Sequence, residues 1–393
     1  MILKLKNPME WANNSGYETQ VIEDSYKGKI ELVYSPYPAF QIGNDLITKK
    51  PYDKPICISA HDVKLLVINS ERAEDKHNYK YLIISKNNDL LIDENVNNEI
   101  WLNYFKVFRK IKLNDDKQAI EINNDLLNNS VKITEKNYLI YVGGQSHFGH
   151  WLVDHLSIML LCEKNKIRQN NEKYITSQLN ESQIESIKSA NIDCDILQID
   201  LKKNYLTLID VPFLKIVANQ SIFKSYDLLK SKLAMQENEL FKETVYGNKN
   251  CIYFQRGEQR GIERVVNENE VIELMMSKKI DIIKPHTLTL LEKKILINKY
   301  DLIICPPASA YFNFYIFSKQ KAQMIYCIHE SALYNTDSAV FGGSYYQCPD
   351  LYRTTLIPSM QPSIDKYKEP LYDAKCIIDI QFLKVKIDEF MKD

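Results

Sequence analysis

The sequence predicts an α/β protein in which a strand-rich N-terminal part leads into a regular alternation of strands and helices. Three observations carry that prediction. The second half alternates short apolar runs with amphipathic stretches, the pattern of a mostly parallel sheet with crossover helices. Residues 1–135 carry instead short strand-like runs parted by Asn- and Asp-rich corners. Between these parts, Gly143-Gly144-Gln145-Ser146-His147-Phe148-Gly149-His150-Trp151-Leu152-Val153-Asp154-His155 leaves an apolar strand, crosses a glycine-rich turn and enters a helix. Open α/β folds place their chemistry at such strand ends.

The totals fit this class. The chain has 393 residues, 45% hydrophobic and 26% charged, enough for two or three ordinary domains. A formal net charge of −1 implies no general attraction to nucleic acid. No apolar run approaches the ~20 residues that span a bilayer. The start, Met1-Ile2-Leu3-Lys4-Leu5-Lys6-Asn7-Pro8, is too short and too charged for a signal peptide, so a cytoplasmic location is expected. The 8 cysteines are scattered without a Cys-x-x-Cys pair, which points to buried reduced thiols and supports neither a zinc site nor a disulfide framework. The 25 tyrosines are best read as packing, with a carbohydrate surface as the alternative.

Along the chain, strands are expected at Lys29–Tyr34, Lys80–Ser85, Leu90–Ile92, Ala119–Ile122 and Tyr138–Val142. A helix begins near His150, another covers Glu181–Ala190, and strands follow at Ile196–Ile199, Leu206–Ile209 and Phe213–Val217. A domain break is expected near 215–225. Strand Cys251–Phe254, helix Asn267–Lys278, strand Ile280–Ile283, helix Thr289–Asn298, strand Asp301–Cys305, a helix from Ser309 and strand Gln323–Ile328 then alternate. A last helix, Ile378–Met391, carries Ile380, Leu383, Ile387 and Phe390 at helical spacing and is expected to pack back on the first domain. The domains so read are 1–218 (strand-rich to 135, then Rossmann-like from 136), 219–350, and a C-terminal tail and helix over 351–393.

Three places carry chemistry. At 3.6 residues per turn, His150, Asp154, Ser157 and Leu161 share one stripe, with Leu152, Leu156, Met159 and Leu160 facing a core. His155 lies off the stripe. Capping and the helix dipole would account for His150 and Asp154 equally well. Second, Arg256, Arg260 and Arg264 follow a strand and precede a helix, where they can grip an anionic phosphate; Gly257 and Gly261 would let the backbone come close. Third, Cys305-Pro306-Pro307-Ala308-Ser309-Ala310-Tyr311-Phe312-Asn313 ends a strand and opens a helix whose N–H groups would bind an anion. Ser309 serves there as cap or phosphate donor, and Asn313 follows one turn later.

These three places, in this order, resemble glycosyltransferase family 61. The family's Gly-His-(aromatic)-x-x-(Asp/Glu) helix start is matched by Gly149-His150-Trp151-Leu152-Val153-Asp154. Its arginine loop followed by Asn-Glu is matched by Arg256, Arg264, Asn267 and Glu268. Its small-residue turn ending in Asn is matched by Ala308-Ser309-Ala310-Tyr311-Phe312-Asn313. The agreement spans about 138–330. One departure stands out: many members have His-Gly-Ala where this chain has Pro307-Ala308-Ser309. The resemblance implies two Rossmann-like domains of the GT-B type and transfer of a sugar from a nucleotide sugar to a glycan or lipid-linked glycan acceptor. It further implies inversion and surface polysaccharide assembly at the inner face of the membrane, with peripheral association and a homodimer both admitted. On this reading Asp154 is the favoured base, with His150 orienting it or exchanging roles. Arg256, Arg260, Arg264, Ser309, Ala310 and Asn313 hold the donor phosphate, and His147, Trp151 and His155 orient or contact the acceptor.

No metal or other cofactor is expected. Asp193-Cys194-Asp195 spells Asp-x-Asp, yet it follows a helix and reads as a turn. His147, His150 and Asp154 lack a recognisable ligand spacing. His150-x-x-x-Asp154 also fits acyltransferases that use His as base, but His155 replaces the expected Gly and the arginine loop would be unexplained. A non-catalytic glycan-binding protein would use the tyrosines and need neither anion site.

Overall fold

The computed structural model describes residues 2–22, 55–69, 79–92, 111–113, 119–122, 130–143, 151–199, 206–218, 228–229, 231–232, 250–256, 265–306, 322–329, 354–360 and 377–392. It forms two compact units. One comprises Met1–Lys27 with Pro51–Leu229, the other Gly28–Lys50 with Lys230–Asp393.

The first unit opens with strand β1 (Ile2–Lys6) and helix α1 (Pro8–Ser15). Asn7 caps α1 by accepting from the Glu10 amide, Pro8 starts it, and Gly16 at φ 64° ends it in the left-handed conformation. Trp11 is wholly buried, and its indole donates to the Asp89 carbonyl 2.9 Å away. Strands β2 (Glu18–Val21), β3 (Ile56–Asn69), β4 (Tyr79–Ile84), β5 (Asp89–Leu91), β6 (Ile111–Leu113), β7 (Ala119–Ile122) and β8 (Ser130–Lys132) follow. Next come β9 (Leu139–Gly143), a π-helical turn (Trp151–Leu156) running into α2 (Ser157–Lys164), β10 (Lys173–Ser177), α3 (Glu181–Ser189), β11 (Ile196–Ile199) and β12 (Leu206–Ala218).

All twelve strands form one sheet, in the order β11-β10-β9-β12-β3-β4-β5-β1-β7-β6, with β2 on β3 and β8 on β12. β9, β10 and β11 run parallel with helices between them, and β12 lies parallel beside β9. From β12 onward to β3, β4 and β5 the pairing is antiparallel. The Rossmann-like alternation in this unit is therefore limited to its β9–β11 corner. Its core gathers Ile58, Val63, Leu65, Ile83, Leu139, Leu214 and Ile216, alternate residues of adjacent strands.

The expected strands Leu206–Ile209 and Phe213–Val217 are one strand, despite Pro212 between them. Pro212 falls where β12 changes neighbours, after β8 ends at Asp210 and before β9 begins at Leu214. A residue without an N–H is tolerated at such a gap in the ladder. The expected strand Lys29–Tyr34 lies outside the described residues.

The second unit is a parallel α/β sheet. Strand β13 (Cys251–Phe254), helix α4 (Glu268–Ser277), β14 (Asp281–Ile283), a 3₁₀ turn (Pro285–Thr287), α5 (Leu290–Lys299), β15 (Leu302–Cys305), β16 (Gln323–His329) and β17 (Thr354–Met360) lead to β18 (Ile377–Ile378) and α6 (Ile380–Lys392). The sheet order is β14-β13-β15-β16-β17-β18, parallel throughout except for β18. Thr289 and Glu292 form a reciprocal capping box at the start of α5.

The C-terminal helix packs into the core of the second unit. Leu383 and Ile387 of α6 are wholly buried in one cluster with Val271, Met275, Ile304 and Ile325. Lys278 at the end of α4 pairs with Asp388 of α6. The apolar stripe read from the sequence is real; its partner is α4, and 351–393 supplies strands and a helix to the second unit. No described helix is long and apolar enough to cross a membrane.

Candidate active site

The first place lies at the carboxyl end of β9. Gly143 has φ +85°, and a Cβ there would stand 2.7 Å from His155 Cε1 and 2.8 Å from its Nδ1. Glycine is thus required twice, by backbone conformation and by the imidazole against it. His155 Nδ1 lies 2.6 Å from the Val142 carbonyl oxygen, which can only accept, so this nitrogen carries the proton. Thr176 at the end of β10 donates to the Gly143 carbonyl at 2.5 Å. Trp151 is 1% exposed, and its indole donates to Ser186 Oγ of α3 at 2.8 Å. Ser186 in turn donates to the Gln183 carbonyl at 2.7 Å. Trp151 and His155, 5.9 Å apart between ring centres, tie the element after β9 to neighbouring parts of the fold. Trp151 offers a ligand almost no surface.

The turn from Trp151 to Leu156 is π-helical, and only then does α2 begin. A π turn bonds i to i+5, a rare arrangement that recurs at functional sites. The stripe assigned to His150 and Asp154 assumed 3.6 residues per turn, so it does not carry over to this turn. Ser157 and Leu161, expected on that stripe, are fully buried with Met159 and Leu160. His147 and His150 lie outside the described residues, and so does the side chain of Asp154.

The second and third places begin on adjacent strands of the other unit. Its strand order, with β13 as first strand, reads second, first, third, fourth, fifth, sixth. The order reverses between β13 and β15, and ligands of open α/β sheets bind outside the strand carboxyl ends at such a point. Gln255 and Arg256 leave β13 there, and Pro306 leaves β15 there. Both segments singled out in the sequence thus begin at one switch point. Arg260, Arg264, Ser309, Ala310 and Asn313 lie outside the described residues.

Arg256 is partly buried, and its backbone N–H donates to Glu268 Oε1 at 2.7 Å. The Tyr253 hydroxyl donates to the same oxygen at 3.1 Å. Glu268 is 7% exposed at the first position of α4, where the helix dipole favours a carboxylate. Burial and the nearby Glu268 raise the Tyr253 pKa well above its usual value, which keeps the phenol a donor. Burial pushes the Cys305 thiol up to about 12, and the Arg256 cation acts against that rise. The arginine's charge is therefore felt at the end of β15.

Asn267 has a different task. Its amide donates to the Ile378 carbonyl and accepts from the Ile378 N–H, both at 2.9 Å, as a strand neighbour would. Thr176 and Ser186 escaped the sequence reading, since isolated hydroxyl residues give no signal until the strands are paired. Asp193 and Asp195 lie in the connection between α3 and β11; Arg168 donates to the Asp193 carbonyl and Tyr174 to that of Asp195. Among the described residues no group of three His, Cys, Asp or Glu side chains is gathered to hold a metal ion.

Residues 148–325 match the family model described as Glycosyltransferase 61, which supports placing the chain in glycosyltransferase family 61. The match runs from Phe148 to Ile325 in β16, taking in the turn after β9, the arginine segment and the turn after β15. The family indicates a glycosyltransferase, an enzyme with a sugar donor and a glycan acceptor. No curated protein matches the chain.

Proposed function

We propose that the protein transfers a sugar from a nucleotide-sugar donor to a hydroxyl of a glycan or lipid-linked glycan, with inversion and without a metal ion. The observation that carries this reading is the switch point between β13 and β15, where the segments with Arg256 and with Ser309 both begin. Transfer needs a group that takes the acceptor proton and groups that absorb the charge of the departing phosphate. Asp154 is the proposed base, with His150 orienting it or exchanging roles. Arg256, Arg260 and Arg264, with the backbone around Ser309, Ala310 and Asn313, stabilise the phosphate. Pro307-Ala308-Ser309 replaces the His-Gly-Ala of many relatives, so on this reading the leaving group depends chiefly on arginine and backbone N–H groups. His147 and His155 belong to the acceptor side, His155 as an orienting residue through Val142.

The wider setting follows the family: GT-B architecture, surface polysaccharide assembly, a cytoplasmic site at the inner membrane face, and a homodimer as an admitted state. Calorimetric titration with UDP, GDP, CMP and dTDP tests the central claim. One nucleotide should bind, and Arg256→Ala should weaken it about 10- to 100-fold, the loss expected for hydrogen bonds to a charged group. If none of the four binds, the donor site is wrongly drawn.

A further inference from the structure

We infer that Glu268 is the positioning residue of the donor site, holding Arg256 toward the switch point through the backbone. The inference rests on the reading of Arg256 as a phosphate ligand. Glu268 Oε1 accepts the Arg256 backbone N–H at 2.7 Å. The same oxygen accepts the Tyr253 hydroxyl at 3.1 Å, from inside β13. One carboxylate oxygen therefore ties the last turn of chain leaving β13 to the strand it leaves. Because Glu268 is the first residue of α4, this also fixes the distance between strand end and helix start.

The neighbouring residue extends the device. Asn267 binds both backbone groups of Ile378 at 2.9 Å, so the start of α4 is held by β18 while it holds Arg256. The Asn-Glu pair thus has two separate uses, one facing the C-terminal strand and one facing the arginine. A carboxylate this buried, given to a backbone amide, is costly unless its hydrogen bonds are met, and here the amide and the phenol both donate to Oε1.

The test is a double-mutant cycle on binding of the nucleoside diphosphate selected by the wild type, read by calorimetry. Glu268→Ala should weaken binding about 10-fold or more, whereas Glu268→Gln, which keeps Oε1 as an acceptor, should stay within about 3-fold of wild type. In the Arg256→Ala background, Glu268→Ala should add almost nothing, because its effect passes through Arg256. A merely structural role would give additive losses. If Glu268→Ala fails to fold, Glu268→Asp replaces it; the side chain, shorter by one methylene, draws its oxygen back from the amide and should weaken binding in the same non-additive way. Wild-type affinity in Glu268→Ala, or additivity with Arg256→Ala, overturns the inference and leaves the donor-site reading intact. Absence of nucleotide binding by the wild type overturns both.

Discussion

Gly143 shows how a single residue can be read correctly from sequence and for only part of the reason. A glycine-rich turn was expected after β9, and the φ of +85° requires one. The second requirement, room for His155, is invisible until the turn folds the imidazole back over the strand end. Gly143→Ala would combine a strained backbone with a Cβ 2.7 Å from the ring, forcing His155 away from the Val142 carbonyl. We expect a loss of about 1–3 kcal/mol in urea denaturation. Lys215 is the other residue with a large expected effect. Its ammonium group lies 2.6 and 2.8 Å from the Glu172 carboxylate oxygens and 2.9 Å from the Ile167 carbonyl, with both side chains buried. Lys215→Met should cost about 3–5 kcal/mol by leaving a buried carboxylate uncompensated, and adding Glu172→Leu should restore much of it. Equal instability of the single and double variants would show that packing, not charge, decides.

At the scale of elements, α4 joins the arginine segment to the C-terminal β18–α6 hairpin-like return. Asn267→Ala should loosen that return by removing two hydrogen bonds, raising amide exchange at Ile378 while β16 stays protected. Unchanged exchange at Ile378 would mean that Leu383 and Ile387 alone hold the segment. From β13 to β16 the described strands and helices of the second unit were legible, helped by the cap signal at Thr289, whereas β17 and β18 were not read from the sequence. Long β3 was not, because its alternation is broken by His61 and Asp62. The partner of α6 was also illegible: an apolar stripe shows that a helix is buried, never against what. The same limit applies to the candidate site. Residue types at strand ends pointed to it, and only the strand order could bring the ends of β13 and β15 together. The π turn was beyond the sequence, since periodicity assumes a regular helix.

For the whole molecule, the buried thiols set an alkaline limit. Burial raises Cys57 from 9.0 to about 11, and Cys305 from 9.0 to about 12. Between the unfolded and folded values the native state holds protons that the unfolded chain has lost, so stability falls as pH rises. The stabilisation is complete below pH 9.0 and disappears as pH climbs through about 11 to 12. Melting temperatures should decline from about pH 9 upward, and Cys305→Ala should flatten the slope. A melting temperature constant to pH 11 would contradict this assignment.

The two sheets also end in a telling way. Among the described residues, the terminal strands β11, β6, β14 and β18 have four, three, three and two residues. A long bare border would invite another chain to add a strand and begin aggregation; borders this brief offer little template. Along the described residues the sheet borders thus carry their own protection against polymerisation, whatever the protein binds.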